Sequence, residues 1–313
     1  LDNMGWLRFL LVLVTLYHVH GASLDLDAEI QRLKAGTTNC PNSGQLCICA
    51  FNIQTFVKAK MDKPHVVEVL IEIINAYDIV FIQEIRDVDE VAIYDLLNQC
   101  NDANDDDFAM VMSVRLGTSS SYKEQYAYFY RDSKFDVEAT YQYPVNTNDP
   151  DSIPGFYDEF ERPPFSVLFR SNTGSQIQRF GYTGIHAKPE HAPQEIDSLV
   201  DVYDTLRGVW SIDDIFLGGD FNAGCSYLSD DDWDWIRLRT DSRFLWVIGD
   251  DANTNVATGS QCPYDRLVLA GSALRSAYVS NSGNVYYFDQ HLGLDHDHTL
   301  EVSDHYPVEM RLR

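Results

Sequence analysis

The sequence predicts an α/β fold in which two β-sheets pack together in layers with helices. Apolar runs of strand length alternate with helical patterns, and the middle third of the chain is rich in consecutive strands. No internal repeat and no Gly-, Ser- or Pro-rich linker divides the 313 residues, of which 45% are hydrophobic. Strands interleaved with helices, together with consecutive hairpins, are typical of packed α/β layers. The chain is long enough to bury one full core, so we expect one domain.

The predicted elements begin with a strand at 46–52 and a helix at 64–77. Pro64 occupies the first turn of that helix, and apolar residues recur at helical spacing. The later elements are strands at 78–84, 108–114, 125–131, 135–143, 165–171, 178–186 and 214–220, helices at 88–99 and from Pro193 onward, and short strands near Leu267 and at 305–312. Several strands end on a polar residue, and strand ends at one edge of a sheet usually carry the chemistry of α/β proteins.

The amino terminus has the pattern of a secretory signal peptide. Arg8 precedes an apolar run at 9–16 and small residues near 19–23. The run is too short to span a bilayer comfortably. We therefore expect a signal peptide at 1–22 (with residues 1–3 upstream of Met4), an extension at 23–45, the folded domain at 46–313, and a secreted, extracellular protein that does not enter membranes.

Export permits disulfides among the six cysteines, which lie at positions 40, 47, 49, 100, 225 and 262. No CxxC pair has a partner at zinc spacing, so we expect no structural zinc site. The sequence alone does not choose among the possible pairings.

The net charge of -25 argues against loose electrostatic binding to nucleic acid, which needs a basic surface. The same charge suits a protein that binds divalent cations. We interpret the acidic runs at 102–107 and 230–232 as solvated loops. The segment at 296–298 could clamp a metal, but a flexible acidic loop is the better interpretation.

Three segments carry side chains with catalytic potential, although each has a simpler explanation. Glu84 follows a buried-looking run and is costly there unless it binds a metal or pairs with Arg86. Residues 218–222 place Asp220 near an asparagine, which is also typical of a turn. Residues 303–307 place Asp304 beside a histidine, and such a pair is more often structural.

Taken together, the segments 50–53, 82–84, 121–124, 184–186, 219–222, 264–266 and 303–307 resemble the endonuclease/exonuclease/phosphatase superfamily. Within it, the chain is similar to the deoxyribonuclease I family of the pancreatic type. The resemblance runs from about residue 46 to the end and includes the longer strings 77–80, 236–240 and 303–309.

The resemblance implies a four-layer α/β sandwich with two packed mixed β-sheets flanked by helices. It also implies a secreted, divalent-metal-dependent endonuclease that hydrolyses DNA phosphodiester bonds with little sequence preference. His186 and His305 would form the acid–base pair, oriented by Glu124 and Asp265 respectively. The oxygen ligands for Mg²⁺ or Mn²⁺ would come from Asn52, Glu84, Asp220, Asn222 and Asp304.

The same resemblance implies the DNA contacts. Arg86 and Arg162 would hold phosphates, Tyr122 would pack in the minor groove, and Tyr264 would lie near the scissile phosphate. Such contacts depend on groove width rather than on base edges. The resemblance also implies a disulfide between Cys225 and Cys262, which leaves three connectivities for the other four cysteines.

Some positions depart from the family. Gln54 replaces a DNA-contacting arginine, and Pro163 replaces an acidic residue. The small disulfide loop has no cysteines at 143–155, where one calcium site would lie, and the second site at 253–260 is altered. Ca²⁺ is therefore a second candidate ion whose two structural sites are altered in this sequence. Substitutions at Met110, Met112 and Val114 mean that actin binding is not inferred, and we expect a monomer.

Two alternatives remain at this stage. The first is another phosphodiesterase of the superfamily, such as a sphingomyelinase-like or inositol-phosphate enzyme. Tyr122 and its loop resemble the nuclease branch instead. The second is a non-catalytic secreted binding protein on the same scaffold. Loss of either histidine or of Glu84 would favour it, and all three are present.

Overall fold

The computed structural model describes residues 44–118, 122–144 and 160–313. The expected signal peptide and almost all of the expected extension lie outside these residues, as does most of the segment 143–155. The strands are β1 (Leu46–Phe56), β2 (Ile79–Ile85), β3 (Phe108–Met112), β4 (Gln125–Arg131), β5 (Phe135–Gln142), β6 (Phe165–Ser171), β7 (Arg179–His186), β8 (Ile215–Asp220), β9 (Leu245–Trp246), β10 (Asp265–Ala270), β11 (Asn284–Val285) and β12 (Val308–Leu312). The helices are α1 (Lys58–Met61), α2 (Pro64–Asn75), α3 (Val91–Asp102), α4 (Ala192–Trp210), α5 (Arg237–Thr240), α6 (Ser272–Ala277), α7 (Phe288–Leu292) and α8 (His296–Val302).

The strands form two mixed sheets, as the sequence predicts. In the described part of the chain, the first sheet has the order β11-β12-β1-β2-β4-β3 and the second β5-β6-β7-β8-β10-β9. In each sheet the central pair is parallel, β1 with β2 and β7 with β8, and their other neighbours are antiparallel. The predicted α/β sandwich of two packed sheets is therefore confirmed.

Aromatic side chains fill the space between the two sheets. Phe81 of the first sheet packs against Tyr182 of the second with ring centroids 5.7 Å apart. The Tyr128 hydroxyl donates to the carbonyl of Phe165 at 2.7 Å, so its buried oxygen has a partner. A Cβ at Gly184 would lie 2.2 Å from the ring of Phe81, which explains the glycine at this contact. Each such fully buried aromatic side chain contributes about 1.5–3 kcal/mol by leaving water.

Several element boundaries differ from the sequence prediction for local reasons. Strand β1 continues to Phe56 through a register shift, with Thr55 at a φ of 50°. Helix α3 begins at Val91 rather than at residue 88. Glu90 at its N-cap has a φ of 59°, and the Asp87 carboxylate accepts from the N–H of Ala92 at 2.9 Å.

The segment at 296–298 is helical, so its interpretation as a flexible loop is wrong. Asp295 accepts from the N–H of His298 at 2.9 Å and caps α8. The acidic run at 230–232 also forms a short 3₁₀ turn, and Ser229 and Asp232 form a capping box there.

The structure gives the bonding state of five of the six cysteines. Cys225 and Cys262 form the expected disulfide, with Cα atoms 5.6 Å apart. Cys47 is also bonded in a disulfide, whereas Cys49 and Cys100 are buried free thiols. The expectation that positions 40, 47, 49 and 100 form two further disulfides is therefore wrong. Among the described residues, no helix is long and apolar enough to cross a membrane.

Candidate active site

Strand direction brings the chemistry-bearing residues to one edge of both sheets. Asn52, Glu84, His186 and Asp220 lie toward the carboxyl ends of β1, β2, β7 and β8. Strands β4, β10 and β12 run antiparallel to these, so their amino ends, with Glu124, Asp265 and His305, lie at the same edge. The two sheets meet there, because the Asn52 amide nitrogen lies 3.2 Å from the Asp220 carboxylate.

His186 is buried against a carboxylate and a guanidinium. Its Nδ1 lies 2.9 Å from Glu124 Oε1, an ion-pair distance at which the atoms are not aligned as a hydrogen bond. Arg162 Nε lies 2.7 Å from the same oxygen, and that nitrogen also donates to the carbonyl of His186 at 2.9 Å. The backbone N–H of His186 donates to the Tyr126 hydroxyl at 2.9 Å. Both the ring and the backbone of His186 are therefore fixed.

His305 has a matching arrangement on the other side of Asp220. Its Nδ1 lies 2.8 Å from Asp265 Oδ2 in an aligned hydrogen bond. This bond fixes the tautomer when the ring is neutral and stabilises the imidazolium when it is protonated. The Nε2 atoms of both histidines face Asp220 Oδ2, at 3.4 Å from His186 and 3.6 Å from His305.

The two histidines have pKa values raised by their carboxylate neighbours. Burial and the charge of Arg162 act to lower the pKa of His186, but Glu124 and Asp220 outweigh them and raise it. Burial also acts against protonation of His305, yet Asp265 and Asp220 hold its pKa well above 6.5. Burial would raise the pKa of Glu124, but the charges of His186 and Arg162 lower it. Each pair therefore favours a carboxylate beside a histidine that can carry a proton.

Asp220 is held in place by its backbone. The Gln83 side chain accepts from the Asp220 N–H at 2.6 Å. Gly219 has a φ of 132°, and a Cβ there would lie 2.1 Å from the carbonyl oxygen of Ile185. Only glycine fits this close approach of β7 and β8, which positions the carboxylate next to both histidines.

A second group of oxygens surrounds the end of β1. The Asn52 amide nitrogen lies 3.3 Å from Glu84 Oε1, while its Oδ1 is buried without a hydrogen-bond partner. Turning the amide over would place Oδ1 against Glu84 and Asp220, which is stable only with a cation between the oxygens. Asp304 contributes a further buried oxygen without a partner, Oδ1. Burial and the charges of Glu84 and Asp220 raise the pKa of Asp304 despite the opposing effect of His305. These residues fit a divalent cation.

One set of side chains with closely grouped ligand atoms, Asp220, Asp265 and His305, could also hold a metal. Its Asp265 Oδ2 and His305 Nδ1 are already joined to each other. Mg²⁺ and Mn²⁺ prefer oxygen ligands, so the oxygens of Asn52, Glu84 and Asp220 are the better position. Asn222, predicted as a ligand, is buried and donates from Nδ2 to the carbonyl of Ala187 at 2.9 Å.

The predicted DNA-contact residues occupy different environments. Arg86 stacks on the exposed ring of Tyr122 at 3.9 Å from its centroid, beside the site. The Tyr264 ring lies 6.1 Å from that of His305. Arg162, in contrast, is only 6% exposed and is engaged with Glu124 and two backbone carbonyls. Its phosphate contact stays a prediction, because the described contacts use it to hold His186.

Sequence reasoning gave no role to several residues that build the site. The buried Ser303 hydroxyl donates to the carbonyl of Asn52 at 2.7 Å and accepts from the N–H of His305 at 3.1 Å. It therefore ties β1 to the loop that carries His305. Thr254 accepts from the N–H of Asp265 at 3.1 Å in the same way. The hydroxyls of Ser303 and Thr254 lie outside the strands and helices, where no sequence pattern marks a buried side chain. Gln83, in contrast, could have been predicted as a site residue, because it is a polar amide within an apolar strand.

Comparison with known proteins agrees with this geometry. The model of the Endonuclease/Exonuclease/phosphatase family matches residues 49–305. Deoxyribonuclease-1 of Bos taurus is 41% identical over 267 residues, which cover 85% of this chain and 92% of that protein. Deoxyribonuclease-1 of Mus musculus is 42% identical and covers 87% and 93%. The Homo sapiens protein is 40% identical and covers 86% and 92%.

Solved structures share the fold at much lower identity. An endonuclease/exonuclease/phosphatase from Bacteroides vulgatus has a TM-score of 0.58 at 16% identity and covers 86% of this chain and 98% of its own. The human Nocturnin catalytic domain has a TM-score of 0.55 at 11% identity and covers 86% and 93%. These likenesses show the fold alone, whereas the identity to the deoxyribonucleases extends along most of both chains. The chain therefore belongs to the deoxyribonuclease I family within the endonuclease/exonuclease/phosphatase superfamily.

Proposed function

We propose that this protein is a secreted, divalent-metal-dependent endonuclease that hydrolyses DNA phosphodiester bonds with His186 and His305 as an acid–base pair. The observation that carries the proposal is the position of the two Nε2 atoms, 3.4 and 3.6 Å from one oxygen of Asp220. Each histidine has its own carboxylate on the opposite ring nitrogen. Two proton-transfer groups thus face one small space between them.

Phosphodiester hydrolysis needs two proton transfers on opposite sides of the phosphorus. One histidine accepts a proton from the attacking water as the new phosphorus–oxygen bond forms. The other donates a proton to the sugar oxygen as the old bond breaks. Glu124 and Asp265 stabilise whichever ring carries the proton, and such positioned groups contribute about 10²- to 10⁴-fold each.

Asn52, Glu84, Asp220 and Asp304 would hold the cation, with Asn222 as a further candidate ligand. Their oxygens suit Mg²⁺ or Mn²⁺. When bound, the cation supplies positive charge to the phosphate and the developing leaving oxygen. A φ of 59° at Glu84 supports this role, because strained backbone is often kept at functional sites.

The choice of DNA as substrate rests on the relatives and on the surface beside the site. The relatives named Deoxyribonuclease-1 are about 40% identical over most of the chain. Arg86, stacked on Tyr122, offers a cation and an exposed ring at the edge of the site, which suits a phosphate and a sugar. We also propose secretion, on the signal-peptide pattern of residues 1–22, and a monomer that does not associate with membranes. We propose neither actin binding nor a defined calcium site.

A plasmid assay tests this proposal. The purified protein is incubated with supercoiled plasmid at mildly acidic to neutral pH, with Mg²⁺ or Mn²⁺, with added Ca²⁺, and with chelator. We expect nicking that needs the divalent cation and stops with chelator. A Glu84→Gln variant should need about 10- to 100-fold more metal for half-maximal activity. No metal-dependent nicking at any pH in the range would overturn the proposed function.

A further inference from the structure

Glu195 is a fully buried carboxylate that the proposed chemistry does not use. It lies in the first turn of α4 and is 0% exposed. Its Oε1 accepts from the backbone N–H of Glu161 at 3.0 Å, and its Oε2 accepts from the N–H of Lys188 at 3.2 Å. A buried carboxylate is costly unless its oxygens are hydrogen-bonded. These two bonds offset only part of that cost, because burial still raises the pKa of Glu195 to about 7.

The two donors belong to the segments that hold His186. Glu161 directly precedes Arg162, whose Nε donates to the carbonyl of His186 at 2.9 Å. Lys188 lies two residues after His186, just beyond the end of β7. One carboxylate on α4 therefore joins the strand end that carries His186 to the loop that carries its guanidinium partner.

We propose that Glu195 is a positioning residue for His186 and acts through the N–H groups of Glu161 and Lys188. This inference rests on the proposed function, because it concerns the proton-transfer geometry of the same site. Without this bridge, Arg162 keeps its own hydrogen bonds to the carbonyls of His186 and Ala187, but the backbones on either side of these bonds lose their shared anchor on α4. The distance from Glu124 to the ring is then less tightly fixed. Displacements of about 1 Å in such a site cost on the order of 100-fold in rate.

Proline at position 188 removes the N–H that Glu195 accepts and places a ring carbon against Glu195 Oε2, so it breaks the bridge on the β7 side. Lys188 has a φ of -74°, which proline adopts without strain. The matched control is Lys188→Ala, because it keeps the backbone N–H but loses the same ion pair, Nζ to Glu161 Oε2 at 3.2 Å. We expect the kcat of Lys188→Pro to be about 10- to 100-fold below that of Lys188→Ala, with similar KM values.

A second variant alters the acceptor of the bridge, the Glu195 side chain, rather than one of its donors. Glu195→Gln keeps the shape of the side chain, but its amide nitrogen is a donor. One of the two backbone N–H groups therefore faces another donor, and its hydrogen bond is lost. We expect a kcat loss of the same size as for Lys188→Pro. In a His186→Ala background, the residual activity should show no further loss from either change, because both act through that ring. Thermal unfolding of each variant corrects kcat for the folded fraction.

The outcomes separate the inference from the proposed function. If the unaltered protein does not nick plasmid, the proposed function fails. If the unaltered protein nicks plasmid but Lys188→Pro and Lys188→Ala have the same kcat, the positioning role is overturned. It is also overturned if either change lowers kcat equally in the presence and absence of His186, since that result describes a general loss of structure.

Discussion

At the scale of single residues, the site depends on two carboxylates that each hold one histidine. Glu124 is fully buried, and one of its oxygens faces both His186 and Arg162. Removing such a charge leaves the others buried without a partner, which costs more than the loss of a surface pair. We therefore expect substitution of the buried carboxylates at this edge to lower activity more than substitution of the acidic residues on the surface.

We predict that Glu124→Gln lowers kcat by about 10- to 100-fold, because the neutral amide no longer stabilises a protonated His186. The matched control is Glu138→Gln on β5. Glu138 also lies between two cations, with Arg170 Nε and Arg179 Nε at 2.6 Å, but those arginines are largely exposed. Steady-state plasmid nicking should separate the two variants, and equal kcat values would contradict the role of Glu124.

The histidine pairs also predict how stability depends on pH. The folded-state pKa of His305 is raised above its unfolded value of 6.5, mainly by Asp265 and Asp220 against the effect of burial. The protonated ring then stabilises the fold below pH 6.5, and that contribution is lost as the pH rises through the folded pKa. Urea unfolding in chelator should show a smaller loss of stability above pH 6.5 in Asp265→Asn than in the unaltered protein. Parallel pH profiles would contradict the pairing.

At the scale of elements, the carboxylate of Asp220 is placed by the close approach of β7 and β8. Gly219→Ala brings a Cβ against the carbonyl of Ile185 at a φ that alanine rarely adopts. We predict a loss of about 1–3 kcal/mol in the free energy of unfolding and a lower kcat. Gly208→Ala on the exposed side of α4 meets nothing within 4 Å and should stabilise the protein by about 0.5–1 kcal/mol. Urea unfolding measures both changes, and a neutral Gly219→Ala would refute this explanation.

Most strands could be predicted from the sequence, because each buries a continuous apolar run. Helices α2 and α4 could also be predicted, because each buries one apolar stripe. The extension of β1 to Phe56, the late start of α3 and the helix at α8 could not. Each depends on a positive φ or on a side-chain cap, as at Thr55, Glu90 and Asp295. These features have no periodicity that a sequence pattern reveals.

The predicted site residues lie together at one sheet edge, yet their grouping came from the family resemblance rather than from spacing along the chain. Glu124 and His186 are far apart in sequence, and only strand order brings them within 2.9 Å. The burial of Arg162 could not be predicted either, since an arginine beside prolines gives no sign of the Glu124 carboxylate it meets. The burial of Arg162 depends on tertiary contacts.

At the scale of the whole molecule, a net charge of -25 opposes the approach of DNA. Gln54, which departs from the arginine implied by the family resemblance, donates to Asp304 at 2.6 Å and adds no charge beside the site. Binding should then depend on a small number of phosphate contacts. Because few counterions are released and salt also screens the repulsion, we predict that raising the salt from about 50 to 200 mM increases KM only about tenfold or less, and lowers kcat by less than that. A kcat effect with constant KM would contradict this.

The central claim is that His186 and His305 act as one pair on one phosphate. The most direct measurement is the kcat for plasmid nicking of His186→Ala, His305→Ala and the double variant, each with saturating Mg²⁺. The pairing predicts that each single change lowers kcat by about 10²- to 10⁴-fold and that the double variant is little worse than the poorer single one. A single variant that keeps full activity, or two losses that multiply independently, would contradict it.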